Sequence, residues 1–137
     1  MFDHSETLIT PYGGRLVALT AEEDTRADVI SRLPALPRIR LSQRNLCDLE
    51  LLATGAFSPV DSFLNKNDYE NVLEEMRLAN GRLFPIPITL SVNHFEGLKL
   101  DAECALTDLF NNPLAIIRVE EIYEWNRQKE ARLVCGT

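Results

Sequence analysis

The stretch from Leu41 to Phe63, LSQRNLCDLELLATGAFSPVDSF, constrains this chain more than any other. Ser42 is placed to cap a helix, because a serine at that position accepts a hydrogen bond from a backbone N–H two or three residues on. Gly55 supplies the stop. Between them Leu46, Leu49, Leu52 and Ala53 recur at spacings of three and four, and Cys47 and Leu51 widen the apolar face, so the pattern predicts a helix buried on more than one side. Ala56-Phe57-Ser58-Pro59 then turns the chain sharply, since a residue before proline is pushed out of the α region. Phe57 and Phe63 bracket that turn as apolar anchors.

A chain of 137 residues is one domain by length and can bury roughly two-thirds of the surface it exposes unfolded. No apolar run approaches the ~20 residues that span a bilayer. Met1 to Thr10 carries acids and a histidine where a signal peptide would be basic and then apolar, which leads to the expectation of a cytoplasmic protein. The net charge of −7 disfavours a nucleic-acid partner, which needs a concentrated basic surface. Arg32, Arg38, Arg40 and Arg44 form the densest basic group, but Asp48 and Glu50 follow at once and the plainer reading is solvated or ion-paired surface. Cys47, Cys104 and Cys135 are odd in number with no CxxC pair; small buried hydrophobes are expected rather than a disulfide framework or zinc site.

Along the chain, Pro11-Tyr12-Gly13-Gly14 reads as a turn and Leu16-Val17-Ala18-Leu19 as a short strand. The glycine pair could cradle a phosphate, yet no Lys-Ser/Thr or helix follows it. Thr20 with Glu23 has capping-box spacing ahead of a surface helix reaching about Leu33. Pro34 and Pro37 lead into an alternating strand, Arg38 to Leu41. Asn67 with Glu70 is a second cap, and Tyr69, Val72, Leu73 and Met76 predict an amphipathic helix ending near Leu78, before the Asn80-Gly81 turn. In Phe84-Pro85-Ile86-Pro87-Ile88-Thr89-Leu90 two prolines delete donors from one edge. A strand there pairs on one side only, with Ile86, Ile88 and Leu90 on its buried face. Ala105 to Leu109 and Leu114 to Val119 are strand-prone runs joined by Phe110-Asn111-Asn112-Pro113, a hairpin. Asn126 caps a last helix to about Val134, with Gly136 as its stop. Short strands and helices mixed without a βαβ rhythm favour an α+β fold.

Catalytic chemistry finds little support. His4 and His94 lack a second histidine at helical spacing and an adjacent cysteine, so neither a metal pair nor a Cys/His nucleophile is indicated. Asp48 and Glu50, two apart on a helix, do not share a face. Tyr123 and Trp125 could stack a base, but without interleaved Arg or Lys they read better as core or interface. No catalytic, cofactor-binding or metal residue is assigned.

The string Leu41-Ser42-x-Arg44-x-Leu46-Cys47-Asp48-Leu49-Glu50-Leu51-Leu52-Ala53-x-Gly55-Ala56-Phe57-Ser58-Pro59 closely resembles the amino-terminal domain of ATP sulfurylase, sulfate adenylyltransferase. Further stretches match in the same order: Pro11-Tyr12-Gly13-Gly14, Met76-Arg77-Leu78, Leu83 to Leu90, Asn112-Pro113-Leu114-Ala115 and Val119 to Tyr123. The resemblance covers nearly the whole chain. Val60, Ser62 and Leu64 depart from the leucine, glycine and methionine more frequent in that family.

What the resemblance implies is a single PUA-like domain over residues 1–137, a partly open β-barrel (pseudo-barrel) of short mixed strands with attached helices. It also implies a nucleotidyltransferase reaction of sulfate assimilation, in which a sulfate oxygen attacks the α-phosphorus of Mg-bound ATP to give adenosine 5′-phosphosulfate and pyrophosphate. That work belongs in the family to a second domain, marked by Gln-x-Arg-Asn-Pro and a following histidine pair. Gln43-Arg44-Asn45 imitates the first part but lacks the intervening residue, the proline and the histidines. The expectation is therefore a truncated piece of a larger enzyme, without the catalytic nucleotide-binding domain and inactive alone, needing no cofactor of its own, with ATP and Mg held elsewhere. Its expected partners are the catalytic domain of the same enzyme and further copies of itself. Two alternatives stand beside this: a free-standing PUA-like module that binds RNA, and a regulatory subunit docking through Tyr123, Trp125 and the final helix.

Overall fold

A computed structural model of the chain describes residues 8–94 and 97–137. His4 lies outside the described residues. The helix that organises the sequence forms as its ends dictate: α2 in chain order, Gln43–Thr54, begins where the Ser42 side chain accepts from the Asn45 N–H and ends on Gly55 at φ 84°. Before it come α1 (Glu23–Arg32), a 3-10 turn at Leu33–Ala35 and β1 (Arg38–Arg40); after it come α3 (Lys66–Glu75), β2 (Glu103–Thr107), β3 (Pro113–Arg118) and α4 (Arg127–Cys135).

The sheet has the order β1-β2-β3, with β1 parallel and β3 antiparallel to the central strand. It remains a three-stranded mixed sheet and does not close into a barrel. Two apolar clusters flank this framework. One gathers Leu52, Val60, Leu64, Tyr69, Val72, Leu73, Leu78 and Ile88 around α3; the other gathers Ile39, Leu41, Cys104, Leu106 and Val119 on the sheet. α2 joins them, giving Leu52 to the first and Leu46 and Leu49 to the second, while Phe63 touches both. Phe57 packs edge-on against Phe84 with centroids 6.1 Å apart.

Several expectations are corrected by non-local packing. Cys47 and Leu51 do not widen a buried face; both are exposed, and Asn45 is buried in their stead. Of the three cysteines only Cys104 is buried. Leu16–Leu19 joins no ladder and is bonded instead at the end of α2: the Leu19 N–H donates to the Ala53 carbonyl and the Val17 N–H to the Ser58 hydroxyl. Residues 84–90 form no strand either. Ile86 is 53% exposed while neighbouring Pro87 and Ile88 are both buried, so the expected alternation is absent. With two donors removed by the prolines, the remaining groups bond singly, the Ile88 carbonyl to the Leu64 N–H and the Thr89 carbonyl to the Asn45 amide.

Cap positions also shift. α1 starts behind Glu22, which makes no side-chain cap, so Thr20 lies too early to form a box with Glu23. α3 is capped by Asn65 rather than Asn67, its side chain accepting from the Asp68 N–H at 2.8 Å. It stops at Glu75, where Met76 takes φ 54° and is exposed rather than extending the apolar stripe. The hairpin and the last helix form as read, except that β2 ends at Thr107 and leaves Leu109 outside it.

Candidate functional site

The glycine pair near the start shows how two distant segments are locked together. Gly13 and Gly14 both have φ above 80°, and the Gly14 N–H donates to the Pro11 carbonyl, closing a turn. The space a Cβ on Gly13 would occupy is already filled by the Arg82 guanidinium and the Pro59 ring. A side chain at Gly13 would clash with this packing, so the turn acts as a packing joint between the start of the chain, Pro59 and Arg82. Gly55 works the same way: a Cβ there would fall 2.8 Å from Leu16 Cδ1 and 2.9 Å from the Val17 carbonyl. Above this joint runs an open groove lined by Leu8, Ile9, Pro11, Tyr12 and Leu16, with Gly55, Ala56 and Ser58 as its base. Leu8 and Ile9 are more than 90% exposed, a heavy apolar load for a surface.

A second corner is built where α4 meets α3. Glu130 accepts from the Tyr69 hydroxyl at 2.7 Å and from the Trp125 indole N–H. The Arg127 guanidinium lies 4.7 Å above the Trp125 ring, a cation–π contact, and Lys129 bonds Glu74 at 3.0 Å. Tyr123 stacks obliquely on Tyr69 at 5.6 Å and donates to the Leu64 carbonyl at 2.7 Å. Burial pushes the Tyr123 phenol up to about 12, helped by the charges of Glu121 and Glu130. Burial raises Tyr69 further, reinforced by its bond to Glu130. Both tyrosines therefore serve as protonated donors; neither is a base.

All four arginines of the basic group are exposed, and Arg38 and Arg40 share the outer face of β1. Arg32 pairs with Asp28 and Glu103, and Arg38 donates to the Asn111 carbonyl at 3.3 Å. Arg77 closes its own turn on the Gly81 carbonyl. Asp48 is half-buried and its Oδ2 has no hydrogen-bond partner among the described residues; burial raises its pKa, offset in part by Arg44 and the Asn45 amide. Glu50 is exposed on another side of the helix and His94 is exposed. Among the described residues no group of three or more His, Cys, Asp or Glu is placed to hold a metal, and no helix is long and apolar enough to cross a membrane. Among the described residues the arrangement offers exposed apolar and polar surfaces for contact.

Sequence reading missed Asn45 and Glu130. An asparagine among leucines three residues after a cap was the signal for the first. The second carried none, since its partners lie 61 and five residues away.

Relatives point in one direction. Sulfate adenylyltransferase of Emericella nidulans is 44% identical over 133 residues, covering 93% of this chain and 23% of that protein. The enzyme of the same name from Symbiobacterium thermophilum is 39% identical over 133 residues, covering 96% of this chain and 34% of its own length. The chain thus spans a quarter to a third of these relatives. Among solved structures, a chain of the hexameric APS kinase from Thiobacillus denitrificans superposes with a TM-score of 0.77 at 31% identity, over 85% of this chain and 24% of that one. The profile of the PUA-like domain family matches residues 9–137. With that match running from the glycine turn through α4, the chain belongs to the PUA-like domain family.

Proposed function

We propose that this chain is the amino-terminal structural domain of a cytoplasmic ATP sulfurylase serving sulfate assimilation, and that it has no adenylyltransferase activity alone. The observation that carries the reading is the match of nearly the whole chain to only 23–34% of proteins named sulfate adenylyltransferase. Stabilising a transferring adenylyl group needs converging Arg, Lys, His or metal ligands. Here Arg32, Arg38 and Arg77 make separate surface contacts, and Arg82 and Pro59 pack against the glycine turn. ATP and Mg are accordingly assigned to the catalytic domain. The domain's partners in this reading are that catalytic domain and other subunits of an oligomer, supported by the structural likeness to the hexameric APS kinase. An RNA-binding role draws no support from a net charge of −7.

The test is a chimera in which this chain replaces the matching segment of the Symbiobacterium thermophilum protein, assayed for sulfate-dependent exchange of labelled pyrophosphate into ATP. Exchange by the chimera supports the assignment. A folded, soluble chimera that catalyses no exchange contradicts it.

A further inference from the structure

The tip of the β2–β3 hairpin displays two large apolar side chains to solvent: Leu109 is 63% and Phe110 is 85% exposed. A hairpin turn has no need of them, since turn geometry favours Asn, Asp and Gly, and here Asn111 takes the positive φ of 66°. The loop that carries them is nevertheless tightly built. The Asp108 carboxylate accepts from the Phe110 N–H, the Asn112 N–H and the Asn112 side-chain amide, each at 2.9 Å. The Asn112 carbonyl accepts from the Asp108 N–H at 3.0 Å, and Arg38 reaches across from β1 to the Asn111 carbonyl. None of those contacts involves the Leu109 or Phe110 side chain, and both stay outside.

We propose that this tip is a preorganised knob that inserts into an apolar pocket on the remaining polypeptide of the same enzyme, with an acidic rim facing Arg38. The inference rests on the assignment above: 66–77% of each relative lies beyond the part this chain matches, so under that assignment the occupant is covalently attached and present at high effective concentration. Holding a loop in its bound conformation beforehand lowers the ordering cost of docking, and aromatic side chains seated in desolvated pockets are the usual anchors of an interface. The exposed Arg38 guanidinium, bonded among the described residues to a carbonyl at the tip, leaves donors for a partner carboxylate.

The experiment uses hydrogen exchange at residues 109–112 in the 137-residue chain and in the Symbiobacterium thermophilum chimera, each with and without Leu109→Ser/Phe110→Ser. Docking predicts exchange at least tenfold slower in the chimera than in the isolated chain, with the double substitution abolishing that difference. The isolated chain should keep its melting temperature, because neither side chain is in its core. An active chimera whose tip exchanges as fast as the isolated chain overturns the knob while leaving the domain assignment standing. A folded chimera without activity removes both.

Discussion

α2 and α4 are written in the same signals and held in opposite ways. Each begins at a polar cap, Ser42 or Asn126, whose side chain accepts from the N–H three residues on, and each ends on a glycine in the left-handed region. α2 then sends Leu52 into one apolar cluster and Leu46 and Leu49 into the other. α4 buries no residue; polar bonds through Glu130 and Lys129 tie it to α3. Local sequence decides that a helix forms, whereas attachment depends on what the rest of the fold places beside it. The consequence is a graded stability, with α2 opening only with the whole domain and α4 opening alone.

The comparison breaks most visibly at Leu52, which is 2% exposed. Leu52→Ala should cost about 2–5 kcal/mol of unfolding free energy by denaturant titration, through lost burial and a residual cavity. Asn45 is next. Its amide donates to the Thr89 carbonyl at 2.7 Å, and its carbonyl oxygen accepts from the Ser42 and Ser91 hydroxyls. Asn45→Ala orphans the Thr89 carbonyl and should cost about 2 kcal/mol, measured in the same way.

Asp48 sharpens the comparison in the other direction. Its folded pKa is raised by burial, so its contribution to stability is present below the unfolded pKa and lost as pH rises through the folded one. Asp48→Asn should therefore be more stable than the parent at neutral pH, by roughly 0.5–1 kcal/mol after allowing for partial exposure. That advantage should shrink as the pH is lowered towards the carboxylate range, which parallel unfolding curves at several pH values would show. On α4 the expected effect is smallest. Tyr69 and Trp125 share one Glu130 oxygen, so Glu130→Gln keeps an amide oxygen for both donors, loses only the charge, and should cost about 1 kcal/mol or less. It should appear as faster amide exchange confined to α4 with α2 unchanged; equal acceleration in both helices would mean that α4 belongs to the same cooperative unit.

The same division explains what could be read beforehand. The caps of α2 and α4, the glycine stops and the β2–β3 hairpin are properties of a few adjacent residues, and they appear where the pattern puts them. Leu16–Leu19 and Phe84–Leu90 have strand composition, but a strand needs a partner with a matching register. The first finds the end of α2 and the second finds single bonds from Leu64 and Asn45. The surfaces were less legible still. Leu109 looked like the last residue of a strand, and only the Asp108 bonds and the end of β2 at Thr107 show it as the flank of a displayed tip. Tyr123 and Trp125 could be read as interface or core; in the fold Tyr123 packs against the core while Trp125 stays half outside, holding Glu130.

The most direct test of the central claim is sulfate-dependent exchange of labelled pyrophosphate into ATP by the purified 137-residue chain alone. A supporting domain predicts a rate no higher than a protein-free blank, at any ATP or Mg concentration. Exchange above that blank, abolished by substitution of Arg44, Asp48 or Arg77, would place a catalytic site among residues assigned here to packing and surface contacts and would contradict the account.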